Sequence, residues 1–85
     1  MEKQKVTLRV AGKEYALVSS DSPEHLSRVA NFVDRQISET IFAARASKEN
    51  AAVLVALNLA DELMKAKDEN ARLHREINAL QQAEK

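Results

Sequence analysis

The residues able to do chemistry are few, and their spacing argues against catalysis. His25 and His74 lie far apart in the chain, and neither has a second ligand at i+4, the spacing that a helical metal site uses. Ser19, Ser20 and Ser22 cluster around Asp21, but no G-x-S-x-G or other nucleophile setting accompanies them, so their oxygens suit helix capping. Asp61 and Glu62 are the kind of carboxylate pair that general acid–base work needs. On a helix with basic neighbours, however, they read as a solvated edge. The single glycine rules out a glycine-rich phosphate loop. A nucleic-acid surface would rest on Lys3, Lys5, Arg9 and Lys13, followed by Arg28, Arg35 and Arg45. Acidic residues interleave with that second group, and no aromatic ladder accompanies them. These residues predict no catalytic, cofactor or metal site, and a chain this small is not expected to build a substrate pocket unaided.

The chain has 85 residues, enough for one small domain whose core is marginal alone. With no cysteine, neither disulfides nor thiolate metal sites can supply the missing stability, which leaves self-association as the natural source of buried surface. The 13 Lys and Arg residues balance the 13 Asp and Glu residues, so no overall field draws in nucleic acid or an acidic membrane. The start, MEKQKVTLRV, holds no apolar run of signal-peptide length, and the apolar stretch Ala51 to Leu57 is too short to cross a bilayer. A cytoplasmic protein is expected, with neither nucleic acid nor membrane as partner.

Val6, Leu8 and Val10 alternate with Thr7 and Arg9, the period of a half-buried strand. A second short run, Tyr15 to Val18, predicts a hairpin whose turn spans Ala11 to Glu14, with Gly12 at positive φ. A lone hairpin is unstable in water and needs a covering element. That element follows. Pro23 suits a first helical position, and the cap is either Ser22 or Asp21, the latter with Glu24 in a capping box. Leu26, Val29, Ala30, Val33, Ile37, Ile41 and Ala44 then define one helical face. Phe32 and Phe42 fall off this face, and partial burial or contact with another subunit would each account for them.

A break is expected around Ala46 to Asn50, with Ser47 capping a new helix from about Lys48 to Gln82. At 1.5 Å per residue it spans on the order of 50 Å, too long to fold back inside so small a domain, so it must project. Ala51 to Ala60 is apolar on nearly every side and needs burial all round, which one copy cannot provide. Val53, Leu54 and Leu57 therefore belong to an expected oligomer interface. From there the spacing becomes heptad, with Leu63, Asn70 and Ile77 at a and Leu59, Ala66, Leu73 and Leu80 at d. Ile at a with Leu at d favours a parallel pair, and Asn70 at a is suited to fixing its register. In such a pair Glu62 would face Lys67, and Glu69 would face His74. The expected fold is α+β, mainly helical: a β-hairpin and two helices, the last extending into a coiled coil, with a head over 1–58 and a tail over 59–85. A nucleic-acid-binding dimer and a generic coiled-coil adaptor with an unknown partner stay open as readings of these residues alone.

One resemblance narrows the choice. The order of G-K-E-Y (Gly12 to Tyr15), S-P-E-H-L-x-x-V-A (Ser22 to Ala30), V-D-x-x-I (Val33 to Ile37) and A-L-N-L-A-D-E-L (Ala56 to Leu63) resembles the ZapA family of bacterial cell-division proteins, which associate with FtsZ. The likeness covers essentially the whole chain, and Val53 to Leu63 is its most specific part. It implies a ββαα head with a coiled-coil tail, dimers joined through the heads, and two dimers meeting tail to tail in an antiparallel tetramer. The implied role is non-enzymatic, with FtsZ as partner: cross-linking or aligning protofilaments at the mid-cell division ring. Lys13 and Glu49 occupy positions where charged head residues of the family are implicated in touching FtsZ. Arg9 and Arg45 join them as candidates because both are expected to be exposed. The tail is shorter than in longer members, which weakens the case for a tetramer more than that for a dimer.

Overall fold

A computed structural model describes residues 2–83, in the order β1 (Gln4–Val10), β2 (Lys13–Ser19), α1 (Pro23–Ala44) and α2 (Lys48–Ala83). The chain divides into two units, Met1–Val55 and Ala56–Lys85.

The first unit grows from the alternation in β1. Val6, Leu8 and Val10 are partly buried and their neighbours exposed, because α1 packs along this strand. β1 and β2 pair antiparallel, with Val10 opposite Lys13, Leu8 opposite Tyr15 and Val6 opposite Leu17. Directly opposed residues share a face, so Tyr15 and Leu17 belong to the apolar side. Both nevertheless stay exposed. The helix lies along β1, and the inward residues of β2 remain open beside it.

The turn is tighter than the sequence suggests. It is a two-residue loop in which Ala11 (φ 53°) and Gly12 (φ 82°) are both left-handed, so β2 begins at Lys13 instead of Tyr15. Positive φ at both central residues defines the type I′ turn, whose twist matches that of paired strands. Gly12 adopts this conformation freely, whereas Ala11 has a Cβ that resists it. Replacing Ala11 with Asn creates the favoured Asn-Gly pair and is expected to stabilise the protein by about 0.5–1 kcal/mol. Urea unfolding at fixed protein concentration checks this, and an unchanged or lower midpoint would count against turn strain.

Ser22 is the cap of α1: its Oγ accepts the His25 N–H at 3.1 Å, and Pro23 fills the first turn. The helix buries Leu26, Ala30 and Ile37, with Val33 and Ile41 partly covered. Two members of the expected face are exposed, namely Val29 and Ala44. Helix length against strand length explains Ala44. The 22 residues of α1 extend for about 33 Å, whereas a strand of 7 residues reaches only about 23 Å, so the last turns outrun the hairpin. Phe42, in those turns, is 89% exposed, so partial burial within one protomer does not account for it. Phe32 is half exposed beside Val29.

The break falls where expected but through an unexpected residue. Arg45 adopts the left-handed conformation (φ 52°, ψ 41°) that usually calls for glycine at a helix end. Ser47 then caps α2: its Oγ accepts Asn50 N–H at 3.2 Å, and its carbonyl accepts Ala51 N–H at 2.8 Å. Ala51 and Val55, one turn apart, are buried in this unit and complete its core with Leu26, Ala30 and Ile37.

The second unit is α2 from Ala56 onward. Leu59 is partly covered and every other described residue of the unit is exposed.

Candidate functional site

Lys13 and Glu49 stand far apart in sequence but line one groove. The hairpin reverses the chain so that Lys13 opens β2, and the Ser47 cap starts α2 so that Glu49 falls in its first turn, where a carboxylate complements the helix dipole. The groove holds about 410 Å³, with the apolar face of the hairpin on one side and Ile37 and Ala52 on the other. Tyr15 and Leu17, left open by α1, form part of its wall.

Lys48 also lines this groove, and sequence reasoning passed over it. Its Nζ lies 3.5 Å from where a Cβ on Gly12 would sit, so it stands over the hairpin turn. Nothing in its local sequence signals that placement, which depends on how the hairpin meets the start of α2. Among the described residues the ion pairs are Lys65 with Asp61 and Arg72 with Glu69 and Glu76, so Lys13, Lys48 and Glu49 are free to meet charges on a partner.

The other two candidates lie elsewhere. Arg9 sits opposite Glu14 on the hairpin face away from Leu8 and Val10. Arg45, exposed at the end of α1, borders a shallow surface with Ala46, Asn50, Val53 and Leu54. That surface is notable for apolar exposure: Val53 and Leu54 are 59% and 46% accessible in one protomer.

In the second unit Leu57, Leu63, Leu73, Ile77 and Leu80 are exposed along the helix, and so are Ala66 and Asn70. Water-facing leucines at a and d spacing are an unpartnered seam. The polar side has its own order. Arg72 donates from Nε to Glu69 (3.1 Å) and from Nη1 to Glu76 (2.6 Å), with a further Nη2 bond to Glu69. Donation to Glu69 raises the Arg72 pKa, opposed by slight desolvation, so its charge does not vary with pH in any ordinary range. Lys65 pairs with Asp61 one turn earlier at 2.9 Å. Glu69, expected to face His74 of a partner helix, is thus engaged on its own helix in the single chain.

Among the described residues no group of three or more His, Cys, Asp or Glu could hold a metal ion, and no helix is long and apolar enough to cross a membrane.

The arrangement has known counterparts. The family model described as "Cell division protein ZapA" matches residues 6–85. A cell division protein ZapA from Geobacillus thermodenitrificans is 39% identical over 74 residues, covering 84% of this chain and 79% of the relative. Another, from Geobacillus kaustophilus, is 36% identical over 78 residues, covering 88% and 84%. Among solved structures, one described as "ZapA mutant dimer from Geobacillus stearothermophilus" superposes with a TM-score of 0.79 at 33% identity, covering 92% of each chain. With the hairpin and two helices in the same order, the chain belongs to the ZapA family of cell division proteins.

Proposed function

We propose that the protein is a non-enzymatic cell-division adaptor that binds FtsZ polymers through its head and cross-links or aligns protofilaments as a multivalent homo-oligomer. The observation that carries this reading is the exposed apolar surface of α2. Val53, Leu54 and Leu57, followed by the heptad positions Leu63, Leu73, Ile77 and Leu80, are far more apolar area than an isolated chain leaves in water. A second copy removes that area from water, in keeping with the solved relative, which is a dimer. Residues 1–58 then serve as the binding head and 59–85 as the assembling tail, of which 84 and 85 lie outside the described residues. Paired tails that associate again give a dimer of dimers with heads at both ends. Linking weak head contacts raises their combined strength without any new contact, which suits a cross-linker in the cytoplasm at the mid-cell ring.

Lys13 and Glu49, which line one groove, are the contact residues this reading favours, with Arg9 and Arg45 as outlying contributors. Reversing both charges in the double variant Lys13→Glu, Glu49→Lys should leave molar mass unchanged and weaken co-sedimentation with polymerised FtsZ by about tenfold, or roughly 1.4 kcal/mol. Undiminished recruitment would remove this groove from the contact. Failure of the unaltered protein to pellet with the polymers would end the functional reading itself.

A further inference from the structure

We propose that Asp34 is a positioning residue for the polymer-binding surface: by accepting the Ala11 N–H it fixes the hairpin tip, and with it Lys13, beside Glu49. The proposal rests on the reading of Lys13 and Glu49 given above.

In a two-residue turn the N–H of the first central residue has no partner in the hairpin's own ladder. Here Asp34 Oδ1 accepts it at 2.8 Å, in a part-buried bond that joins positions 23 residues apart. Asp34 belongs to the V-D-x-x-I run and sits next to the partly covered Val33, on the margin of the face that buries Ile37. Asp34 is itself partly covered. Among the described residues no Lys or Arg forms an ion pair with it, and the turn amide is the donor it receives. The geometry therefore commits this carboxylate to the hairpin tip.

Lys48 approaches the same turn from the start of α2. Lys13 follows Gly12 directly, and Glu49 follows Lys48 directly. The tip is thus held by Asp34 on α1 and flanked by Lys48 on α2, and any tilt of the tip changes the separation of Lys13 from Glu49. A charge pair read by a partner loses its register when that separation wanders.

The test compares four proteins by co-sedimentation with polymerised FtsZ, with molar mass, circular dichroism and hydrogen exchange at Ala11 measured on each. Asp34→Ala should reduce recruitment about fivefold and speed exchange at the Ala11 amide, with assembly intact. Asp34→Asn keeps an oxygen acceptor at the same reach and should restore both to within about twofold of the unaltered protein. Ser22→Ala removes the cap at the far end of α1, loosening the fold away from the groove, and should leave recruitment unchanged. If Asp34→Ala does not fold, Asp34→Glu takes its place: it retains the charge, displaces the acceptor by one methylene, and should lower recruitment while assembly persists. The proposal is overturned if recruitment survives loss of the acceptor, if Asp34→Asn fails to rescue, or if Ser22→Ala is as damaging as Asp34→Ala. Should the Lys13 and Glu49 reversals also have no effect, the binding reading is at fault and the positioning role falls with it. If those reversals abolish recruitment and Asp34→Ala does not, the positioning role alone is wrong.

Discussion

Ile77→Glu is expected to abolish assembly through the tail while leaving the head folded. Ile77 is at an a position and 49% exposed in the single chain, so half of its surface awaits a partner. Pairing removes that remainder from water together with Leu73 and Leu80, and since full burial of an aliphatic side chain of this size contributes roughly 1.5–3 kcal/mol, the exposed half of Ile77 contributes about 1 kcal/mol in each copy. Glutamate forfeits that gain in each copy and sets two carboxylates against one another across the seam, each losing hydration with no cation opposite. The combined penalty is about 5 kcal/mol or more per pair of helices, enough to weaken association by over a thousandfold. Sedimentation equilibrium across a range of concentrations should show the highest-mass species lost. Undiminished mass would mean that the a and d residues do not form the contact. The zipper has little in reserve against such a change, since Ala66 and Asn70 leave two of its layers small or polar.

The second large effect belongs to the head. Ile37→Ala should lower stability by about 2–5 kcal/mol, because Ile37 is 6% exposed and stands among the few side chains that are buried in one protomer. Leu26, Ala30, Ala51 and Val55 are its companions, and two of those are alanines that cannot expand into the space. For so small a unit that loss approaches the whole of a typical folding free energy, so partial unfolding at ambient temperature is the expected result. A urea midpoint at fixed concentration measures it. A change below about 1 kcal/mol would show that the cavity collapses or that the core lies elsewhere.

Legibility in the sequence followed the range of the interaction involved. Period-two alternation of Val6, Leu8 and Val10 was readable because one covered face imposes it residue by residue. Ser47 was readable because a cap acts within three residues, and α2 begins at Lys48 as expected for the same local reason. Choosing Ser22 over Asp21 needed the structure, since both side chains are competent acceptors and only one lies within reach of His25 N–H. Ala11 and Arg45 gave no warning. Neither type favours the left-handed region, and Ala11 is held there through a bond to a residue in the next element but one. The open wall of Tyr15 and Leu17 was invisible for a similar reason: the period-two pattern shows which face is apolar but not how far a helix covers it. Lys13 and Glu49 came forward through family resemblance alone. Their shared groove depends on a turn, two helix ends and the packing between them, and no spacing rule encodes that.

Among the described residues the sheet has two strands, and each therefore keeps one flank of backbone donors and acceptors without a neighbouring strand. Such flanks invite stacking into endless ribbons, a hazard that rises with the number of copies held close together. Lys5 and Arg9 along one strand, and Lys13 and Glu14 along the other, place formal charge beside both flanks. In the assembly proposed above, growth is thereby steered away from the hairpin, and the greasy helix serves as the surface through which copies find each other.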